Sequence, residues 1–181
     1  MLIGKSRQIH VARAAKFHRV LHVSTVHSPT DTRILYRECR SLANHGYDVA
    51  LLACGDVSAD VGSIRVLSLP RPPTRLHRFT VSAFRAVRAA WRENADIYHF
   101  HDPELVPWML LLRLRGKPVI FDVHEDIGGS LAERTWIPRG LRTITGRVAR
   151  AIVVLSSRWY YVVFAERSYP SVYQGINKFR V

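Results

Sequence analysis

Apolar residues along the chain switch repeatedly between the two periods that mark strands and helices. Residues 18–26, HRVLHVSTV, are rich in β-branched residues and end at the turn-forming segment HSPTD, which predicts a strand. From Thr32 the apolar positions recur every three or four residues, which predicts a helix that ends at Gly46. A second β-rich run, residues 47–54, follows directly. This order predicts a βαβ unit, in which a right-handed crossover joins two parallel strands.

The same alternation continues through the middle of the chain. Further strands are expected at residues 64–69, 96–100, 117–123 and 151–156. Helices are expected at residues 76–92, 103–115 and 130–150, the last with a break at Pro138. These elements predict an α/β fold with a doubly wound, mostly parallel, Rossmann-like sheet and helices on both faces.

The pattern divides the chain into three segments. Residues 1–16 are a basic lead-in, and residues 17–157 are expected to form one Rossmann-like domain. Residues 158–181 are aromatic and lack a clear period. We expect this last segment to be either a docking tail or the end of a truncated or frameshifted chain.

The charge of the chain is strongly positive, because its 27 Lys and Arg exceed its 14 Asp and Glu by 13. Such a balance favours an anionic partner: nucleic acid, an anionic membrane surface or a phosphorylated small molecule. The sequence has no recognition-helix, aromatic-platform or zinc-finger pattern, so nucleic acid is not expected.

The apolar runs and the cysteine content suggest a cellular location. The N-terminal residues lack an apolar signal core, and the run VPWMLLLRL is much shorter than the roughly 20 residues that span a bilayer. Two cysteines are too few for a disulfide framework. We therefore expect a cytoplasmic protein, with peripheral attachment to the inner face of the membrane as an alternative.

The expected helix at residues 76–92 places basic residues beside an apolar stripe. The stripe comprises Leu76, Phe79, Ala83, Phe84, Val87 and Trp91. The flanking basic residues are Arg75, Arg78, Arg85, Arg88 and Arg92. These arginines are either a solvated helix face or a basic surface that lies on anionic lipid headgroups.

Groups of histidines and carboxylates follow three of the expected strands. They are His27, Asp31 and Arg33 in the first group, His99, His101, Asp102 and Glu104 in the second, and Asp122, His124, Glu125 and Asp126 in the third. Ligands of open parallel sheets bind outside the carboxyl ends of the strands, so the three groups are expected to converge on one crevice. Side chains of these types can bind sugar hydroxyls, position an acceptor or hold a metal.

Simpler roles are open for some of these residues. His99 and His101 lie two apart on one strand, so they share a face and could simply bond to their neighbours. Asp102 precedes Pro103 and is expected to be a helix N-cap, a wall of the site, or both. The ligand types in HFHD and HED fit zinc, but His-x-His hydrolases need more strands than this chain supplies, so no metal is expected.

Three motifs occur in order along the chain: HSPTDTRILYRECRSLANHGYDVALLA, DIYHFHDPELVPWMLLLRLRGKPVIFDVHED and ARAIVVLSS. Over residues 18–157 they resemble the N-terminal half of the family-four GT-B glycosyltransferases. The resemblance implies a cleft between two Rossmann-like domains, in which a hexosyl unit passes from a nucleotide-sugar with retention of configuration. It also implies a reaction without a metal or other cofactor, and a glycan or lipid-linked acceptor.

The resemblance implies roles for individual residues. His124 matches the histidine that lies beside the donor sugar, and it is the implied catalytic residue. The implied substrate-binding residues are His27, Asp31, Arg33, His99, His101, Asp102, Glu125 and Asp126. The loop after the first strand departs from many relatives, since HSPTD stands where they carry paired glycines.

The donor-binding half of that family is not evident after the last expected strand. Glu125 and Glu133 have the family's eight-residue spacing of paired glutamates, but they lie in the wrong half. We therefore expect an acceptor-binding half that needs a separate donor-binding domain, and whether this chain alone is an enzyme stays open. The alternative is a non-catalytic α/β module that binds an anionic or lipid-linked glycan, and a metal-dependent hydrolase ranks third.

Overall fold

The computed structural model describes residues 18–56, 61–135 and 137–173, so the expected lead-in at residues 1–16 lies outside the described part. Its centre is a six-stranded sheet. The strands are Arg19–Val23 (β1), Asp48–Cys54 (β2), Arg65–Leu69 (β3), Ile97–Phe100 (β4), Val119–Val123 (β5) and Tyr161–Phe164 (β6). They lie in the order β3-β2-β1-β4-β5-β6, and every neighbouring pair is parallel.

Helical segments follow every strand except β2, which is followed by β3 within the described residues. The α-helices are Arg40–Asn44 (α1), Arg75–His77 (α2), Ala83–Glu93 (α3), Val106–Leu114 (α4), Ile127–Glu133 (α5), Arg139–Ser156 (α6) and Tyr169–Val172 (α7). Two of them are extended by wider turns, because the π-helices Thr32–Cys39 and Arg78–Ser82 run directly into α1 and α3. A 3₁₀ turn, Pro103–Leu105, leads into α4.

Side chains of the central strands alternate between two packed faces. In β2, Ala50 and Leu52 belong to a core cluster with Val87 of α3. The residue between them, Leu51, belongs to a second cluster with Ile34 of the π-helix before α1. Both faces of the sheet are therefore covered by helices, which confirms the doubly wound α/β fold.

The expected strand at residues 151–156 is wrong, because these residues form the C-terminal turns of α6. The sixth strand, β6, lies in the segment that we expected to be a tail. Ile144, Val148 and Ile152 are four residues apart, so the helical period continues into the apolar run. A short apolar run does not by itself distinguish a strand from a helix.

The order of the strands places a crevice at the carboxyl edge of the sheet. From β1 the chain continues to β2 and β3 on one side of the sheet, and from β4 it continues to β5 and β6 on the other side. The loops after β1 and β4 therefore diverge, and a gap opens between them at this edge. Gly46, with φ of 85°, ends the helix that covers β1 and turns the chain into β2.

Candidate active site

The loops after β1, β4 and β5 bring three of the expected histidines together. The ring centroids of His27 and His124 are 5.1 Å apart, edge to face, and those of His101 and His124 are 6.3 Å apart. The side chains of His27 and His124 keep 26% and 17% of their accessible surface. His101 is completely buried beneath them. Two imidazoles therefore face the crevice, and the third supports them from below.

His27 is held in place by the start of the helix that follows it. Its Nδ1 lies 3.1 Å from Oδ2 of Asp31, and its backbone N–H donates to Oγ of Ser24. Asp31 is also the N-cap, since its Oδ1 accepts from the N–H groups of Arg33 and Ile34. Burial alone would raise the pKa of the Asp31 carboxyl, but these hydrogen bonds and the nearby His27 lower it. Asp31 therefore stays ionised and orients His27.

Asp122 is a buried carboxylate that links three expected site residues. Nη2 of Arg33 donates to both of its oxygens, at 3.0 and 2.9 Å. Its Oδ2 lies 3.1 Å from Nδ1 of His101 and 3.8 Å from Nδ1 of His124. The Arg33 guanidinium also pairs with Glu38, at 3.0 Å from Nε. Arg33 is thus engaged by two carboxylates of the fold, and Asp122 connects the helix before α1 to the loop after β5.

Asp102 has a different role from the one expected. It occupies the N-cap position, but its side chain makes no capping hydrogen bond and is almost completely buried. Its Oδ2 instead accepts from the N–H of Thr25 at 2.6 Å and from Oγ of Ser24 at 2.8 Å. Asp102 therefore fixes the loop that carries His27 and does not form a wall of the crevice.

Glu104, the next acid along the chain, supports the same loop. Its carboxylate pairs with Arg78 at 2.8 Å and accepts from Oγ1 of Thr25 at 3.0 Å. Burial raises the pKa of Glu104, and the neighbouring Asp102 raises it further. Arg78 is consequently an internal ion-pair partner, in contrast to its expected place on a lipid-facing surface.

His99 and His101 lie in a buried layer behind the crevice, so they do not line an acceptor site as expected. His22 of β1 is in register with His99 of β4, and the ring centroids are 4.6–5.3 Å apart; His101 stacks on both other rings, which are tilted relative to each other. Burial lowers the pKa of all three histidines well below its usual value. The three imidazoles are therefore neutral.

Sequence analysis missed two members of this layer, His22 and Glu38. In β1, Leu21 and Val23 face the first core cluster, so alternation places His22 on the other face. Glu38 lies four residues after Ile34, within the apolar stripe of its helix. Burial and the negative charge of Asp122 raise the pKa of Glu38 to about 7. An acid on an apolar helix face was the signal available in the sequence.

The two acids after His124 point toward α5 and α6. Glu125 is exposed and accepts from Oγ of Ser130 at 3.0 Å. Asp126 pairs with Arg150 of α6 at 3.0 Å. Burial opposes ionisation of Asp126, but the bond from Arg150 lowers its pKa overall. Both acids are engaged with these helices within the described residues, which gives them a bracing role.

A cavity of about 280 Å³ lies on the other side of the β1 loop. It is lined by Thr25, Val26, Ser28, Cys54, Arg71, Pro72 and Arg78. Arg78 is already paired with Glu104 at 2.8 Å, so the Arg71 guanidinium is the group in this wall that suits an anion such as a phosphate.

The helical segment from α2 to α3 is amphipathic, but its buried face differs from the expected stripe. The face packed on the sheet is formed by Ala83, Ala86, Val87 and Ala90. The larger apolar residues Leu76, Phe79, Phe84 and Trp91 are exposed. Arg85, Arg88 and Arg92 are exposed as well. Among the described residues, no helix has the length and apolar character needed to cross a membrane.

Comparisons with known proteins agree with this architecture. A family model described as a glycosyl transferase 4-like domain matches residues 32–165. The fold also resembles two structures solved with UDP, LpCGTa and a UGT transferase from Siraitia grosvenorii, each with a TM-score of 0.52 and 12% identity. The alignments cover 85% and 87% of this chain, but 47% and 46% of those proteins. The chain thus spans just under half the length of either structure, and no curated protein sequence matches it.

Proposed function

Because the chain belongs to the glycosyl transferase 4-like domain family, we propose that it is the acceptor-binding half of a GT-B hexosyltransferase. The enzyme would move a hexosyl unit, with retention, from a nucleotide-sugar to a glycan or lipid-linked acceptor. The observation that carries this proposal is the pair of accessible imidazoles, His27 and His124, at the carboxyl edge of the sheet. Ligands of open parallel sheets bind at this edge.

His124 is the residue that we assign to the donor sugar. An imidazole N–H can donate to a sugar hydroxyl or to a phosphate oxygen. Asp122 lies 3.8 Å from Nδ1 of His124 and is itself fixed by Arg33. A ring that packs against the imidazoles of His27 and His101 and is open on one side suits a group that must meet a substrate in a defined orientation.

His27 and the cavity beside it form the other part of the proposed site. His27 lies within ring contact of His124, and the cavity wall beyond it carries Arg71 and Arg78. A phosphate or diphosphate of the donor or of a lipid-linked acceptor fits this basic wall. The two neighbours that contain UDP support a nucleotide-sugar as donor. The chain spans less than half of either neighbour, so we propose that a second domain supplies the remaining donor contacts.

The proposal is tested by measuring hexose transfer from labelled nucleotide-sugars by the chain, alone and combined with a separately supplied GT-B donor-binding domain. We expect His124→Ala to lower turnover about 100-fold or more, since general acid–base and positioning groups contribute effects of this size. The matched control is His45→Ala, because His45 is exposed after α1, at the opposite edge of the sheet. If His124→Ala lowers the free energy of unfolding enough to account for the loss of turnover, His124 is instead a structural histidine.

Attachment to an anionic membrane surface is a further part of the proposal. Exposed Phe84 and Trp91 lie on the same helix as exposed Arg85, Arg88 and Arg92, a composition typical of helices that lie in the headgroup region. Such attachment would place the domain at the inner face of the cytoplasmic membrane, where a lipid-linked acceptor is presented.

Vesicle flotation with phosphatidylserine tests this attachment. Neutralising two surface arginines in Arg85→Gln/Arg88→Gln removes about 2 kcal/mol, or about 30-fold in partitioning. The control Arg37→Gln/Arg40→Gln removes the same charge from exposed positions on another helix. Equal loss in both double variants, or binding that salt does not weaken, would contradict a specific basic surface.

The alternative function is a non-catalytic module that binds an anionic or lipid-linked glycan. The cavity beside the β1 loop favours it, because Arg71 in its wall would bind a phosphate whether or not transfer follows. Glycan binding that persists when every nucleotide-sugar fails to react, with the second domain present, would favour this alternative.

A further inference from the structure

The buried layer behind the crevice contains four potential metal ligands whose donor atoms converge. These are His22, Glu38, His99 and His101, and each offers a ligand atom within 4.8 Å of the others. We propose that this layer is a structural zinc site with three imidazoles and one carboxylate. Nothing in the sugar-transfer proposal requires it, so the two proposals stand independently.

The separations between the donor atoms fit a shared metal ion. Nδ1 of His22 and Nε2 of His101 are 3.1 Å apart, and Oε2 of Glu38 is 3.8 and 3.9 Å from them. Four ligands at about 2.0–2.1 Å from a tetrahedral zinc are separated from each other by roughly 3.3 Å. The 3.1 Å contact is also a hydrogen-bond distance, so the Glu38 distances carry the argument: they are too long for hydrogen bonds and within about 0.6 Å of this separation.

Unpaired polar atoms are the second observation. Oε2 of Glu38 and Nε2 of His99 are buried without a hydrogen-bond partner among the described residues. Burying such atoms unpaired costs free energy, so native structures normally provide a partner, an ordered water or an ion. A metal bound by these atoms would remove that cost.

Neighbouring carboxylates prepare the ligands for a cation. Asp122 lies 3.1 Å from Nδ1 of His101, so a proton on Nδ1 leaves a lone pair on Nε2, directed at His22 and Glu38. This is the carboxylate–histidine–metal arrangement found around protein metal sites. Glu38 is oriented in the same manner: its Oε1 pairs with Arg33, which leaves Oε2 facing the histidines.

The chemistry of the donor set favours zinc. Imidazole nitrogens with one carboxylate oxygen suit a borderline ion, and four protein ligands make a closed, structural site. A second group within ligand distance, His101, Asp122 and His124, is less suited. The charge of Asp122 is already compensated there, because Arg33 donates to both of its oxygens.

The proposal is tested on the purified chain, stripped with a chelator and titrated with zinc in competition with a metal-sensing dye. We expect one zinc per chain, retained through gel filtration, and a visible absorption spectrum of tetrahedral coordination when cobalt replaces zinc. Glu38→Gln and His99→Gln should each weaken zinc binding at least about 10-fold, the effect reported for lost metal-site interactions. His45→Gln, at an exposed histidine on the opposite edge, should leave it unchanged.

Two results would overturn the proposal. One is a folded chain that retains no zinc after gel filtration. The other is zinc binding that Glu38→Gln leaves intact, which would place the ion elsewhere. If His99→Gln does not fold, Glu38→Gln decides, because it conserves side-chain volume. If neither variant folds, the wild-type chain decides: zinc must raise its unfolding temperature, and magnesium at equal concentration must not.

Discussion

Substitution of Asp122 by Asn tests whether the buried carboxylate is the centre of the site's framework. The change conserves shape but removes the charge that faces Arg33, and it places an amide beside His101. Removing one partner of a buried ion pair costs about 3–5 kcal/mol. Arg33 keeps Glu38 as a partner and about a third of its side chain is exposed, so we expect the low end of this range, about 3 kcal/mol.

Urea denaturation gives the magnitude directly. With a typical slope of about 2 kcal/mol per molar urea, a loss of 3 kcal/mol lowers the midpoint by about 1.5 M. Asp48→Asn is the matched control, because Asp48 also pairs with an arginine, Arg19, at 2.8 Å. That pair is exposed, so its loss should cost about 0–1 kcal/mol and move the midpoint by less than about 0.5 M. Similar small shifts in both variants would show that the buried Asp122 ion pair stabilises the fold no more than the exposed Asp48 pair does.

Two further predictions concern packing and pH. Gly146→Ala should destabilise the chain by about 1–3 kcal/mol in urea denaturation, since its Cβ would lie 2.8 Å from the Gly128 carbonyl oxygen. Gly140→Ala, with nothing within 4 Å, should be neutral or stabilise by up to about 1 kcal/mol, because alanine is favoured over glycine within a helix. Equal effects would contradict the close α5–α6 contact. In chelator, stability should fall as pH drops below 6.5, because the pKa values of His22, His99 and His101 are lowered and the unfolded chain binds three more protons. The raised pKa of Glu38 opposes this by up to one proton between its unfolded and folded values, so the net slope is about 1 kcal/mol per pH unit at pH 6.5 and rises to about 2.5 kcal/mol per pH unit by pH 5.5. Urea midpoints that do not change between pH 7 and 5.5 would contradict the neutral, buried state of the histidines.

Most strands could be predicted from the sequence because local signals agreed with the fold. The run at residues 47–54 is apolar on both faces and follows a glycine stop, as a central parallel strand should. The run at residues 151–156 has similar composition but belongs to a helix, since packing against the sheet through Val153 decides its state. Such packing is tertiary, and the local pattern does not contain it.

The position of the histidines after the carboxyl ends of parallel strands predicted which of them would lie close together, but it did not predict how deeply each is buried. His27 and His124 lie on loops beyond the ends of the strands and stay accessible. His101 is buried because it packs between His22 of β1 and Asp122 of β5. The same limit applies to the helix that carries Phe84. Small alanines allow that helix to approach the sheet closely, so its large residues point outward, although a rule based on size expects the reverse.

Carbethoxylation of histidines, mapped by mass spectrometry, tests whether the sugar binds at the carboxyl edge of the sheet. The sample is the chain combined with a separately supplied GT-B donor-binding domain, labelled with and without a saturating nucleotide-sugar. We expect substrate to protect His27 and His124 several-fold, exposed His45 to react equally in both samples, and buried His101 to react in neither. Equal labelling of His124 with and without substrate would contradict the placement of the sugar at the carboxyl edge of the sheet.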